Sequence, residues 1–279
     1  MDSLNSSQEM STNQLIRISV LMAIYNCANT LVEALDSLFE AQTYQGFKVI
    51  LCDDCSTDNT YNVAKEYATK YPDRIILLRN KKNMKLPATL NKCLEYADTE
   101  FIARMDGDDL SKPDRFEKEI QFLDFNKVFS LVSCPMEYFD EEGIFRTGKV
   151  IRIPRKSDLK RISPFPHAPV MIRTDVLKSV GGYTVENWTE RGQDYHLWAK
   201  LLSRGYLGYN IDKPLYQMRD NQTAFKRRNF KSRMLGVKRR YKIYQLAGIP
   251  YWHLWKTILH AIVTSIIPYS LYKLIHQKS

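Results

Sequence analysis

This sequence lacks both common phosphate-binding loops. No GxGxxG follows its first apolar run, and no GxxxxGKS/T occurs anywhere, which removes most of the case for a dinucleotide oxidoreductase or a P-loop NTPase. It also lacks an N-terminal apolar h-region. Residues 1–14 are polar, rich in Ser, Asn and Gln, so no signal peptide is expected and the arm reads as disordered. Cysteine is sparse, odd in number and scattered, at Cys27, Cys52, Cys55, Cys93 and Cys134. With no second CxxC there is no zinc framework, and the usage suits a reducing cytoplasm. Acids nearly vanish between Arg219 and Lys242, where ten basic residues stand against Asp220 alone, +9 of the chain's net +10, while the first 200 residues are close to balanced. Such a segment points to a polyanionic partner: nucleic acid, acidic lipid or a phosphorylated substrate.

What is present is an ordinary folding composition. The chain has 279 residues, 44% hydrophobic and 26% charged, enough for one large α/β domain or two small ones. Apolar runs over 16–26, 47–52, 74–79 and 100–105 read as strands. Between them, 30–42, 60–71 and 86–96 carry apolar residues at helical spacing, and Asp58 or Thr60 can cap the second helix. Strands alternating with helices of a dozen residues indicate parallel βαβ units. The first 110 residues therefore predict a Rossmann-like, nucleotide-binding half.

Ligands of parallel sheets bind at the carboxyl ends of the strands, and two acidic motifs fall there. "DDCSTD" (53–58) ends the second strand and "DGDD" (106–109) ends the fourth. Converging carboxylates repel unless a cation or strong hydrogen bonds compensate, and oxygen-only ligation by Asp suits Mg²⁺ or Mn²⁺. Each motif alone also fits a plainer reading, a capped turn or a solvated loop. Cys52 and Cys55 allow a redox pair, although Cys52 lies inside the apolar strand.

Taken together, "ISVLMAIYN", "VILCDDCSTDNT", "FIARMDGDDL", "HAPVMIRTDVLKSVGGY" and "RGQDYHLWAKLLSRG" resemble, in order and spacing, the family 2 glycosyltransferases with a GT-A fold, in particular bacterial transferases building O-antigen or capsule. The resemblance spans about Ile16 to Arg219. It implies an inverting transfer from a nucleoside-diphosphate sugar, a UDP-sugar, to a lipid-linked oligosaccharide, with Mn²⁺ or Mg²⁺ as cofactor. It assigns the nucleotide-sugar pocket to Ala23, Tyr25, Asp53, Asp54, Asp106 and Arg219, with Asp54 holding the base and Asp53 supporting it. It gives the metal to Asp108 with Asp106, the general base to Asp194, and the acceptor side to His167, Gly182, Tyr183 and Gln193. Three positions depart from the pattern: Ala23 for Pro, Gln193 for Glu and Arg219 for His. The read from helical periodicity alone leaves Asp194 as a partner of its helix's positive end.

The implied layout is a disordered arm (1–14), a catalytic domain (15–218) divided into nucleotide-binding (15–110) and acceptor-binding (111–218) halves, and a basic, amphipathic, helical region (219–279). Between Lys256 and Lys273 lie 16 uncharged residues broken by Pro268, short of the roughly 20 that span a bilayer. With Tyr251, Trp252, Trp255, Tyr269 and Tyr272 nearby, this end is expected to lie on an anionic membrane surface. The protein is thus expected to be cytoplasmic, attached peripherally to the inner membrane face, and not to bind nucleic acid. Two rivals remain at this point: a nucleotidyltransferase that makes nucleotide sugars, and a non-catalytic protein binding nucleic acid or anionic membrane.

Overall fold

The computed structural model describes residues 15–220 and 230–259. The expected first half is present: β1 (Ile18–Ile24), α1 (Leu31–Phe39), β2 (Phe47–Asp53), α2 (Thr60–Lys70), β3 (Ile75–Arg79), α3 (Lys85–Glu95) and β4 (Phe101–Asp106). β1, β2, β3 and β4 pair in parallel. Their continuous apolar sequences follow from burial on both faces. Alternation then divides the side chains: Leu21 and Ile50 join one core, while Val20, Met22, Val49 and Leu51 join the other.

The second half adds strands to the same sheet. After β5 (Leu110–Ser111), α4 (Arg115–Phe125), β6 (Phe129–Ser133), β7 (Met136–Asp140) and β8 (Gly143–Thr147), the chain runs through a 3-10 turn at Lys156–Lys160 to β9 (Met171–Arg173). β6, β9 and β10 (Leu207–Asn210) complete one seven-stranded sheet in the order β10-β6-β9-β4-β1-β2-β3, in which β9 is antiparallel to both neighbours. The division at residue 110 therefore follows chain order, not the sheet. A second, four-stranded sheet, unanticipated from the sequence, runs β5-β11-β7-β8, with β11 at Tyr216–Arg219.

α1 and α4 cover one face of the large sheet, through Leu35, Leu38, Phe116 and Leu123. α3, α5 (Thr174–Ser179), α6 (Gln193–Ser203) and α7 (Phe230–Ala247) cover the other. α7 packs on the catalytic domain. Its Ile243, Tyr244 and Ala247 are buried in the domain core, its Tyr244 hydroxyl donates to the Lys160 carbonyl at 3.1 Å, and its Arg239 donates to the Arg191 carbonyl. Three apolar side chains on one face outweigh the surrounding charge because basic side chains can lie along apolar surface by their stems while their charged heads stay in water. The 16-residue uncharged stretch falls almost wholly at 260–279, outside the described residues. Among the described residues no helix is long and apolar enough to cross a membrane.

Candidate active site

The parallel strands end in one row. Register places Ala23 of β1 between Cys52 of β2 and Asp106 of β4, Ile24 beside Asp53, and Asp53 beside Arg79 of β3. The loop after β1 is knitted to the "DDCSTD" loop. The Asn26 amide donates to Ser56 Oγ at 3.0 Å, the Thr57 amide to Asn26 Oδ1 at 2.9 Å, and the Cys27 amide to Thr60 Oγ1 at 2.8 Å. Asp58 accepts from the Thr60 amide at 3.0 Å; the N-cap of α2 is Asn59, with no side-chain capping bond, and not Asp58 or Thr60. Ala23 is half-buried and Tyr25 is exposed, both on the rim of this row.

The two adjacent acids do different work. Asp53, fully buried, pairs with Arg79 Nε at 3.0 Å and accepts from the Ser56 amide. Arg79 in turn lies over the Tyr61 ring at 4.2 Å. Asp54, also buried, is turned to α3 and accepts from Asn80 Nδ2 (2.8 Å) and from the amides of Met84 (2.7 Å) and Lys85 (2.9 Å). Lys85 enters its helix at φ +69°, a left-handed backbone that a non-glycine residue adopts only when held. Asp54 supplies that hold. Three of its roughly four acceptor positions are thus taken by this end of α3. The cysteines also separate: Cys52 is buried and hydrogen-bonded to Cys93 of α3, while Cys55 sits on the loop at φ +62°. The pairing is not that of a CxxC redox motif, and all five thiols are free.

The second acidic motif surrounds a buried cation that sequence reasoning missed. Arg104, 3% exposed, grips Asp106 with both terminal nitrogens, Nη1 to Oδ2 at 2.6 Å. Two residues apart on a strand, they share a face, and an arginine within "FIARMD" was the available signal. Arg104 Nε has no partner. Asp109 is buried, accepting from the Tyr216 hydroxyl (3.0 Å) and the Arg219 amide (2.9 Å). Burial, then the charges of Asp106 and Asp108, push its carboxyl up to about 8. Asp108 is the exposed member; desolvation at the cleft wall and the nearby Asp106 raise its carboxyl above the usual range. Arg219 lies alongside, donating from Nε to the Asp108 carbonyl at 3.1 Å, paired with Glu33, and stacked over Phe139 at 4.6 Å.

The acceptor-side residues gather across from this cluster. Gly181 and Gly182 turn at φ +71° and +55°, and a Cβ on Gly182 would lie 2.6 Å from Asn91 Oδ1, so both backbone and space require glycine there. Asn91 clamps the next residue, exchanging 2.8 Å bonds with the amide and carbonyl of Tyr183. The Tyr183 hydroxyl meets His167 Nε2 at 2.8 Å. Burial, then Arg104, hold His167 well below the usual histidine range, so it is neutral at pH 7. Gln193 is buried and Asp194 half-buried in the first turn of α6. Ser163 Oγ donates to Asp194 Oδ2 at 3.2 Å. Burial raises the Asp194 carboxyl, opposed by the Tyr195 amide, Ser163, Arg239 and Arg104. Arg104 therefore acts electrostatically on Asp106, His167, Tyr183 and Asp194 alike, so one buried cation links the donor-side acids and the candidate base.

Among the described residues no group of three or more His, Cys, Asp or Glu side chains could hold a metal ion. Two carboxylates stand together here, Asp106 and the exposed Asp108. An oxygen-only pair of this kind fits a cation that completes its shell with substrate phosphates and water, as Mg²⁺ does.

Comparison with known proteins agrees with this geometry. The family described as Glycosyl transferase family 2 matches residues 19–180. EpsE of Bacillus subtilis is 41% identical over 214 residues, 77% of each chain. The UDP-Gal:alpha-D-GlcNAc-diphosphoundecaprenol beta-1,3-galactosyltransferase of Escherichia coli is 29% identical over 273 residues, 94% of this chain and 96% of that one. S. aureus TarS 1–349, solved in complex with UDP-GlcNAc, superimposes with a TM-score of 0.66 at 18% identity, covering 88% of this chain and 71% of that one, a likeness that shows the GT-A fold. The chain belongs to glycosyl transferase family 2.

Proposed function

We propose that this protein transfers a sugar from a UDP-sugar to a lipid-linked saccharide, with inversion, in the building of a bacterial surface polysaccharide. The observation that carries the reading is Arg104, which grips Asp106 at the strand end and whose charge also acts on Asp194 of α6. The Escherichia coli relative acts on a GlcNAc-diphosphoundecaprenol, and the TarS structure holds UDP-GlcNAc; both support the donor and acceptor classes.

In this reading the nucleoside rests on the row formed by Ala23, Tyr25 and Asp53, with Arg79 at its edge. Asp54 orders that pocket from behind by fixing the start of α3. Asp106 and Asp108 would hold a divalent cation, which when bound offsets charge on the diphosphate. Arg219 adds a fixed positive charge beside Asp108, and Arg104 aims Asp106 with its two-pronged grip. Asp194 takes the proton from the acceptor hydroxyl as its oxygen bonds to C1. The bond from C1 to the diphosphate breaks, and its electron pair leaves with the diphosphate. A carboxyl raised by burial, with Arg104 and Arg239 opposing the rise, suits a base working near neutral pH. Gly182, Tyr183, His167 and Gln193 shape the acceptor wall.

The test is transfer itself. Radiolabelled UDP-Gal, UDP-Glc and UDP-GlcNAc are each offered with Mn²⁺ and a synthetic GlcNAc-diphospholipid. Labelled lipid from one of them, with the opposite anomeric configuration, is expected. Failure of all three to bind or react would overturn the donor assignment.

A further inference from the structure

The near balance of charge over the first 200 residues averages two opposite parts. Residues 1–142 carry 15 basic and 24 acidic side chains, net −9, whereas the 22 residues from Gly143 to Pro164 carry seven basic side chains against Asp158 alone, net +6. In the structure this basic segment lies outside: Arg146, Lys149, Arg152, Arg155, Lys156 and Arg161 are all exposed. Large apolar side chains stand out beside them. Ile144 is 53% exposed, Phe145 49%, Ile153 46% and Ile162 42%. β8, which carries the first two, is the edge strand of the small sheet, and every residue in it is exposed.

The segment is nonetheless firmly seated. Asn210 Nδ2 donates to the Ile151 carbonyl at 2.7 Å, and Leu159 is buried. One end of it reaches the candidate base, through Ser163 and Asp194. The middle carries α7, through the Lys160 carbonyl and Tyr244. A solvated face would keep the charges and hide the isoleucines. A single-stranded nucleic-acid groove would pair basic side chains with stacking rings, and this segment has Phe145 alone. An anionic lipid surface takes both features, binding the basic groups at its phosphates and the aliphatic groups at the acyl boundary.

We propose that residues 143–164, together with the adjoining α7, form the face by which this protein docks on an anionic bilayer, turning the Asp194 side of its cleft to the membrane. This rests on the lipid-linked acceptor proposed above.

The experiment is co-sedimentation of full-length protein with vesicles of phosphatidylglycerol mixed with phosphatidylcholine, against phosphatidylcholine alone, at low and high salt. The variant K149Q/R152Q/K156Q/R161Q removes four exposed charges. Since each basic residue near such a surface contributes roughly fivefold, its partition should fall at least about tenfold, and further at low salt. K65Q/K81Q/K82Q/K127Q removes as many exposed charges elsewhere and should partition like wild type. F145S/I151S should lose the binding that persists in high salt. UDP binding, followed by calorimetry, should be unchanged in all three, which verifies folding. Wild-type partition by the first variant, or equal binding of wild type to uncharged vesicles or to single-stranded RNA, overturns the docking face. Loss of UDP binding by the wild-type protein would instead overturn the donor reading and leave the vesicle result standing.

Discussion

Replacing Asp54 by Asn separates the two uses a carboxylate could have at this strand end. The side chain is 4% exposed and receives three donors, Asn80 Nδ2 and the amides of Met84 and Lys85. An amide of the same shape turns one acceptor into a donor facing donors. One or two charge-assisted bonds of ~1.5–3 kcal/mol are lost, and a buried amide is left unpaired. The negative charge at the start of α3, worth ~0.3–1 kcal/mol, goes too. The expected cost is about 2–4 kcal/mol. At ~2–4 °C per kcal/mol for a chain of this size, Tm should fall by about 5–15 °C. Calorimetry with and without UDP gives the second readout. A ligand that binds only the folded state raises Tm by an increment set by its affinity, and that increment should survive in Asp54→Asn. An unchanged Tm with the UDP increment abolished would refute the reasoning and restore the nucleobase contact to Asp54.

Other perturbations test other parts of the cleft. Asp108→Ala should remove the Mn²⁺-dependent part of UDP stabilisation and abolish transfer with the fold intact; full activity in this variant, or in wild type with excess chelator, counts against the metal role. Arg104→Lys keeps the charge but loses the two-pronged grip on Asp106 and should lower kcat about tenfold, the scale of one well-aimed polar contact. Arg104→Met should do more and move the acid limb of the rate profile to higher pH, because the lost positive charge had opposed the raising of Asp194. An unshifted limb would detach Arg104 from the base. His196 is held at about 4 by burial and by Lys200 and Lys242, against an ordinary value near 6.5. A depressed histidine contributes stability that is present above about 6.5 and lost as pH falls toward 4. The difference amounts to ~3 kcal/mol. His196→Gln should flatten the fall of Tm across that window, and an unchanged slope would contradict the assignment.

The first half of the fold was legible because each element is locally complete. β1 to β4 are apolar throughout, and α1 to α3 show their buried stripe in sequence. The small sheet was not, because β5 has two residues, β8 buries none, and β7 and β11 meet only after some 80 intervening residues. Asp53, Asp106, Asp108 and Asp194 stand out as acids at element ends. Asp109 and Asp54 look identical to them in sequence, and only Tyr216, Arg219 and the α3 amides, distant along the chain, reveal what holds them. The seating of α7 was not legible because ten basic residues between Arg219 and Lys242 obscured Ile243, Tyr244 and Ala247. The +6 segment was hidden by counting charge over too long a window.

The central claim is that Asp194 removes the acceptor proton in a cleft whose opposite wall holds the donor. Asp194→Asn keeps the side-chain shape and the Ser163 contact while removing the proton acceptor. The decisive measurement is the pH dependence of kcat for transfer from the UDP-sugar, taken on wild type and on this variant beside the donor affinity of each. The account predicts a wild-type acid limb above the ordinary aspartate range, a loss of about 10²-fold or more in the variant with the limb abolished, and unchanged donor affinity. A variant that turns over normally, or one that loses donor affinity with the limb intact, would contradict it.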